Sequence, residues 1–143
     1  MADTLDIHAL PPNAPSAALI STTLLIYALY GAGATLALLS SGSPFIAPFF
    51  GVLGIVAVII AYLKRSQTGG TWLASHYRWL IRTFWFSALW VVLGWLVLAM
   101  ASRLGMIVIA IAFGIWIAAL VWVIYRLVRG YLMFRRSNAI PGM

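Results

Sequence analysis

The stretch that decides the fold is residues 64–83, KRSQTGGTWLASHYRWLIRT, the only long polar interruption in an otherwise apolar chain. Gly69 and Gly70 stand near its middle, where paired glycines end a helix. Thr71 follows them and could cap a new helix that begins at Trp72. The segment therefore predicts a polar hinge between two apolar halves of the chain.

The composition on either side of the hinge is that of a membrane protein. Of the 143 residues, 64% are hydrophobic and 8% are charged, against about 45–50% and about 25% in soluble domains. Mean hydropathy is +1.06, and the apolar runs reach the roughly 20 residues that a helix needs to cross a bilayer. These features predict an all-α, polytopic membrane protein.

The apolar runs predict four transmembrane helices, with a short interfacial helix before the third. The N-terminus lacks the basic region of a secretory signal, so we expect the first span to be retained. The terminal residues NAIPGM are expected to be mobile. The predicted segments are an N-terminal arm (1–15), four spans (16–39, 45–63, 84–101 and 105–128), the basic hinge (64–83) and a basic tail (129–143).

Basic residues are distributed unevenly about the predicted spans, which gives an orientation. The hinge carries four Lys or Arg, the C-terminal end carries four Arg, and Arg103 alone lies in a link on the other side. Under the positive-inside rule this places the hinge and both termini in the cytoplasm. We expect anionic lipid headgroups as partners of these cations, and no nucleic acid.

Small residues recur at helical spacing in two of the predicted spans. Gly33 and Ala37 are four apart in the first span, and Ala110, Gly114 and Ala118 follow at the same interval in the fourth. Small residues let helices approach closely inside a bilayer. The pattern predicts packed faces, either within the chain or against another subunit.

The sequence lacks the residue sets that most membrane chemistry requires. The only acidic residues, Asp3 and Asp6, precede the first span, so the spans hold no carboxylate for proton coupling. The chain has no cysteine, and its two histidines lie outside the predicted spans. We therefore predict no enzyme activity, no cofactor and no metal site, and expect His76 to bond to a headgroup or a loop carbonyl.

Two pairs of arginines, one in the predicted interfacial helix and one near the end of the fourth span, suggest one sharper hypothesis. Arg78 and Arg82 are four apart, and Arg126 and Arg129 are three apart, so each pair shares a helix face. A basic cytoplasmic cleft, with His76 beside it, would then bind a lipid phosphate or acidic residues of a partner. The alternative is that each arginine extends independently to its own phosphate.

Three runs resemble a known family: AYLKR (61–65), GTWLASHYRWLIRTFW (70–85) and VIYRLVRGYL (123–132). They are similar to small, uncharacterised bacterial inner-membrane proteins, distantly grouped with the helical membrane component of the chloroplast inner-envelope import translocon (Tic). The resemblance covers about residues 57–132 and implies a four-helix domain in a bacterial inner membrane. Its signature positions would be Thr71, Trp72, His76, Arg78, Arg82, Thr83, Tyr125, Arg126 and Gly130.

Abundant apolar lateral surface without internal chemistry predicts an accessory or scaffolding subunit that packs against larger membrane proteins. A homo-oligomeric channel or carrier is the first alternative, because several copies of a small helical protein can enclose a pore. A membrane-protein insertion or translocation factor is the second, and it follows only from the resemblance.

Overall fold

The computed structural model of the protein describes residues 14–40, 47–100 and 105–141, and these ranges fold into four long α-helices. The fold is all-α, as predicted. All four helices are long and apolar enough to cross a membrane. The helices are α1 (Ala17–Leu39), α2 (Ala47–Lys64), α3 (Leu73–Ala99) and α4 (Met106–Arg135), with a 3₁₀ turn over Arg65–Thr68 after α2.

The start of α1 and the hinge follow from local hydrogen bonding. Ser16 caps α1, because its hydroxyl accepts a hydrogen bond from the Leu19 amide at 3.3 Å. At the hinge, Gly70 has φ +77, a conformation that glycine adopts without strain. Thr71 does not cap the next helix as expected: its hydroxyl donates to the Thr68 carbonyl at 2.8 Å, and Trp72 occupies the cap position of α3 without a side-chain hydrogen bond.

No separate α-helix lies between the 3₁₀ turn over Arg65–Thr68 and α3. The short interfacial helix was expected to begin at Trp72 within the hinge, but residues 73–83 form the first turns of α3, which continues without a break to Ala99. Their position at a membrane surface stays a prediction.

The end of α4 lies beyond its predicted limit, since residues 129–135 are helical. Ser137 then adopts φ 52, in the left-handed region. Its amide donates to the Phe134 carbonyl at 2.9 Å, and the Asn138 amide donates to the Met133 carbonyl at 3.2 Å. This is the Schellman arrangement of a helix end, and the chain after it turns back onto α3.

The helices pack as two hairpins, α1 with α2 and α3 with α4. The hairpins meet along narrower contacts of α2 with α3 and of α1 with α4. The start of α3 lies beside the end of α4 and the residues after it, where His76 Nε2 is 2.9 Å from the Asn138 carbonyl oxygen and the ring centroids of Trp72 and Phe134 are 5.5 Å apart. The basic residues of the hinge and of the end of α4 therefore share one end of the bundle, here called the basic end.

The hydrophobic core shared by the four helices occupies only part of α3 and α4. It takes its residues from positions 72–84 on one side of that pair and from positions 123–134 on the other. The remainder, residues 85–99 and 106–122, is here called the distal hairpin. Buried residues in it are small, namely Gly94, Ala112 and Ala119. Much of its large apolar surface is exposed, including Trp85, Phe86, Leu89, Trp90, Val91, Val92, Trp95, Leu96, Ile107, Ile111, Ile117 and Val121.

Candidate functional site

His76 lies at the centre of the basic end and is fully buried, with 0% of its surface exposed. Its Nε2 is 2.9 Å from the carbonyl oxygen of Asn138, and its Nδ1 is 2.9 Å from the Tyr27 hydroxyl. A carbonyl oxygen only accepts, so Nε2 carries the proton and Nδ1 accepts from Tyr27. His76 thus bonds to a loop carbonyl, and its burial removes it from any surface that could bind a lipid phosphate.

Aromatic rings enclose the His76 imidazole. The ring centroids of Trp72, Phe134 and Tyr27 lie 5.4, 5.8 and 6.2 Å from it, each at a steep angle. Such edge-to-face pairs stabilise a core beyond the area that they bury. The imidazole therefore acts as a structural joint of α1, α3 and the residues after α4.

Gly130 allows α4 to approach this joint. A Cβ at this position would lie 2.6 Å from the Tyr27 hydroxyl and 3.2 Å from Trp79 Nε1. Both side chains are buried and both hydrogen-bonded, Trp79 Nε1 donating to the Arg126 carbonyl at 3.1 Å. No side chain larger than a hydrogen atom fits here without displacing them.

The terminal residues NAIPGM were expected to be mobile, and the part of them that the structure describes, residues 138–141, makes specific contacts with α3, while residues 142–143 lie outside the described residues. The Ile140 amide donates to Ser75 Oγ at 2.9 Å, and the Ile140 side chain is 2% exposed. Together with the Asn138 contact to His76, this bond fastens residues 138–140 to the first turns of α3. The left-handed Ser137 makes this return possible.

Arg126 is held by hydrogen bonds and by aromatic rings. Its Nε donates to Thr83 Oγ1 at 2.8 Å, and one terminal nitrogen donates to the Trp79 carbonyl at 3.4 Å. Its Cζ lies 3.6 Å from the centroid of the Trp79 ring and 4.8 Å from that of Trp122. Cation–π contact and hydrogen bonds together fix the guanidinium.

Two further arginines of the cleft hypothesis lie near Arg126. The positive charges of Arg82 and Arg129 both act on the Arg126 guanidinium. Arg129 is exposed, donates to the Tyr125 hydroxyl at 3.1 Å, and has its Cζ 5.9 Å from the Trp79 ring centroid. Arg78 is exposed on α3. The structure thus brings Arg82, Arg126 and Arg129 together, and binding of lipid phosphate or of a partner stays a prediction.

The small residues predicted for helix packing fall into two groups. Gly33 is buried and Ala37 is half-buried on α1. Ala110, Gly114 and Ala118 are exposed, and a Cβ at Gly114 would meet nothing within 4 Å. These three residues do not pack against a helix within the described chain, so a contact with another subunit stays a prediction.

Gly114 and Ala118 instead line a groove on the distal hairpin, with a volume of about 680 Å³. Its other walls are the side chains of Phe86, Trp90, Ile111, Ile115, Ala119 and Trp122. On the same hairpin, Trp116 packs over Gly94, and its Nε1 donates to the Val91 carbonyl at 3.3 Å. The groove therefore lies on a hairpin whose two helices are joined by close packing and a hydrogen bond.

The sequence does not reveal all of the residues that organise the basic end. Reasoning from the sequence missed the roles of Tyr27, Trp79 and Ser75, although the resemblance includes Thr83 and Gly130 among its signature positions. Tyr27 and Tyr30 were the available signal, because two tyrosines inside an apolar span need hydrogen-bond partners. Tyr30 bonds to the Leu80 carbonyl at 3.4 Å.

Four spanning helices in two hairpins, with buried polar pairs between them and apolar exterior surface, define a multi-pass α-helical membrane protein. Comparison with protein families, with curated proteins and with solved structures finds no match for this chain.

Proposed function

We propose that the protein is a non-catalytic accessory or scaffolding subunit, which packs laterally against the transmembrane helices of a larger membrane protein. The observation that carries this proposal is the distal hairpin. This hairpin extends beyond the shared core, and the Trp116–Gly94 contact packs its two helices closely together. Gly114 and Ala118 line a groove on its surface.

The groove suits a transmembrane helix as its occupant. Helices associate in a bilayer through close van der Waals packing, which small residues allow. Gly114 and Ala118 form the floor of the groove, and Trp90 and Trp122 provide large side chains around it. A helix placed there would contact both α3 and α4.

We further propose that the protein resides in a bacterial inner membrane with the basic end in the cytoplasm. The positive-inside rule supports this orientation, since the hinge and the end of α4 carry eight of the chain's nine Lys and Arg residues. The resemblance to a bacterial family supports the bacterial inner membrane as the location. The orientation can be tested by replacing Ser66, an exposed residue of the hinge, with cysteine and measuring from which side of the membrane a reagent labels it.

The test of the proposed function is extraction in mild detergent followed by native-mass separation and identification of every co-migrating polypeptide. An affinity tag is placed before Met1, because residues 138–140 pack against α3. Gly114→Leu fills the groove, and Val52→Leu makes a similar apolar change at an exposed position of α2.

We expect a different polypeptide at fixed stoichiometry with the unaltered chain and with Val52→Leu, and its loss with Gly114→Leu. A particle that holds only multiples of the 15.6 kDa chain would contradict the proposal. That outcome would favour the homo-oligomeric channel or carrier, which conductance and solute uptake in liposomes would then test.

A further inference from the structure

We propose that the first turns of α3 form a binding site for a short peptide segment, and that residues 138–140 of the chain occupy this site as an internal ligand. The partner that the site fits is a non-helical segment of another protein that carries an aliphatic side chain. The inference does not depend on the groove of the distal hairpin. Three observations carry it: recognition of main-chain atoms, one buried side chain, and a strained connection to α4.

The site recognises the main chain of residues 138–140, which are not helical. His76 Nε2 donates to the Asn138 carbonyl at 2.9 Å, and Ser75 Oγ accepts from the Ile140 amide at 2.9 Å. Any peptide offers a carbonyl and, two residues later, an amide, unless proline stands at the second position. These two bonds therefore do not require the particular sequence of residues 138–140.

The two recognising side chains are also held by contacts that do not involve residues 138–140. His76 Nδ1 accepts from the Tyr27 hydroxyl at 2.9 Å, and Ser75 Oγ donates to the Trp72 carbonyl at 2.8 Å. A hydroxyl has one proton and two lone pairs, so Ser75 Oγ keeps a lone pair for the amide of a ligand. Groups that are fixed beforehand lose little entropy on binding.

One side chain of the internal ligand gives the site its specificity. Ile140 is 2% exposed, whereas residues 138, 139 and 141 are exposed. An aliphatic side chain gains free energy when it is buried, while a polar or charged one loses it unless it finds a partner. The site therefore selects a peptide with an aliphatic residue at the position of Ile140.

The connection to α4 makes the internal ligand displaceable. Ser137 lies between α4 and the segment with φ 52, a left-handed conformation that is unfavourable for any residue with a side chain. A segment of another protein would make the same contacts without this turn. A second copy of the chain offers only the identical segment, so a different protein is the occupant with which the contacts can improve.

The experiment uses the full-length protein in detergent and a fluorescent peptide, SNAIPGM with blocked ends, whose binding is followed by anisotropy. In the unaltered chain residues 138–140 compete with the peptide, so its apparent affinity falls with the fraction of chains whose site is open. Ile140→Ala weakens this competition, and we expect it to bind the peptide about tenfold more tightly. The same peptide with alanine in place of isoleucine should bind about tenfold more weakly.

Further variants separate recognition from general stability. Ser75→Ala in the Ile140→Ala chain removes the acceptor for the peptide amide and should weaken binding about fivefold. Ser87→Ala is the matched control, because Ser87 Oγ makes a similar bond to the Phe84 carbonyl at 2.7 Å farther along α3, and it should change binding by less than about twofold. Ser137→Gly keeps the test informative if Ile140→Ala fails to fold: it relieves the strain of the internal ligand, so it should weaken peptide binding about fivefold relative to the unaltered chain.

Four outcomes would overturn the proposal. A folded Ile140→Ala chain that does not bind the peptide, or binds both peptides equally, would mean that residues 138–140 are only a structural fastening. Equal effects of Ser75→Ala and Ser87→Ala would mean that the peptide does not use the Ser75 hydroxyl. Equal peptide binding by Ser137→Gly and the unaltered chain would mean that the internal ligand does not exchange. A dimer of the unaltered chain that Ile140→Ala abolishes would make a second copy the occupant.

Discussion

Replacing Gly130 by alanine should destabilise the bundle, although alanine favours helices. The new Cβ would lie 2.6 Å from the Tyr27 hydroxyl and 3.2 Å from Tyr27 Cε1. Tyr27 cannot move aside freely, because its ring packs against Phe134 and Tyr131 at centroid distances of 5.9 and 6.3 Å. Relief of the clash must therefore shift α4 or break the bond from Tyr27 to His76.

The expected magnitude combines three terms. Overpacking a tight interior costs about 1–3 kcal/mol, and leaving His76 Nδ1 or the Tyr27 hydroxyl unpaired costs about 1–3 kcal/mol. Alanine in place of glycine within a helix returns about 1 kcal/mol. The net loss in free energy of unfolding is therefore about 3 kcal/mol, within a range of about 1–5 kcal/mol.

The assay is reversible unfolding in mixed micelles of increasing SDS fraction, followed by circular dichroism. Gly114→Ala is the matched control, since it makes the same change within the same helix where nothing lies within 4 Å of the new Cβ. It should raise the free energy of unfolding by up to about 1 kcal/mol. If Gly130→Ala stabilised the protein as much as Gly114→Ala, the close approach of α4 to Tyr27 would be refuted.

Further changes test the fastening of residues 138–140 and the rigidity of the distal hairpin. His76→Ala removes the donor to the Asn138 carbonyl, so trypsin should cleave after Arg136 about tenfold faster; an unchanged rate would argue against the contact. Ser137→Gly should raise the free energy of unfolding by about 1 kcal/mol, because glycine accepts φ 52 without strain. A lower free energy of unfolding in SDS titration would contradict the left-handed turn. Trp116→Phe removes the bond to the Val91 carbonyl, so amide exchange in the distal hairpin should quicken while exchange around His76 stays the same; equal quickening in both regions would contradict their separation.

The sequence predicts the helices well because hydrocarbon thickness limits both their length and their composition. The spans predicted at 16–39 and 45–63 correspond to α1 at Ala17–Leu39 and α2 at Ala47–Lys64. Polar residues are less decisive, since buried partners can hold them inside a helical bundle. That is why the polar residues 73–83 are part of α3 and residues 129–135 are part of α4.

Hydropathy cannot say which apolar face is internal, because lipid and protein interior are equally apolar. The regular series Ala110, Gly114 and Ala118 faces outward, whereas Ala112, Ala119 and Gly130 are the buried small residues of α4. Spacing along one helix shows that a face can be packed, and only the positions of neighbouring helices show whether it is.

The organisation of the basic end depends on contacts between distant parts of the chain. Tyr27 and His76 are 49 positions apart, and Ser75 and Ile140 are 65 apart. Helical periodicity relates residues three or four apart, so it grouped Arg126 with Arg129 but could not link Arg126 to Thr83. The arginine hypothesis therefore includes a histidine that the structure buries and omits the side chains that position Arg126.

The most direct test of the accessory-subunit proposal is site-specific photocrosslinking in living cells. A benzophenone amino acid replaces Ala118, in the groove, or Val52, exposed on α2 as the control. We expect a crosslink from position 118 to one identified membrane protein of different sequence, its loss with Gly114→Leu, and no crosslink to that protein from position 52. Crosslinks from position 118 only to copies of this chain, or equal crosslinking from both positions, would contradict it.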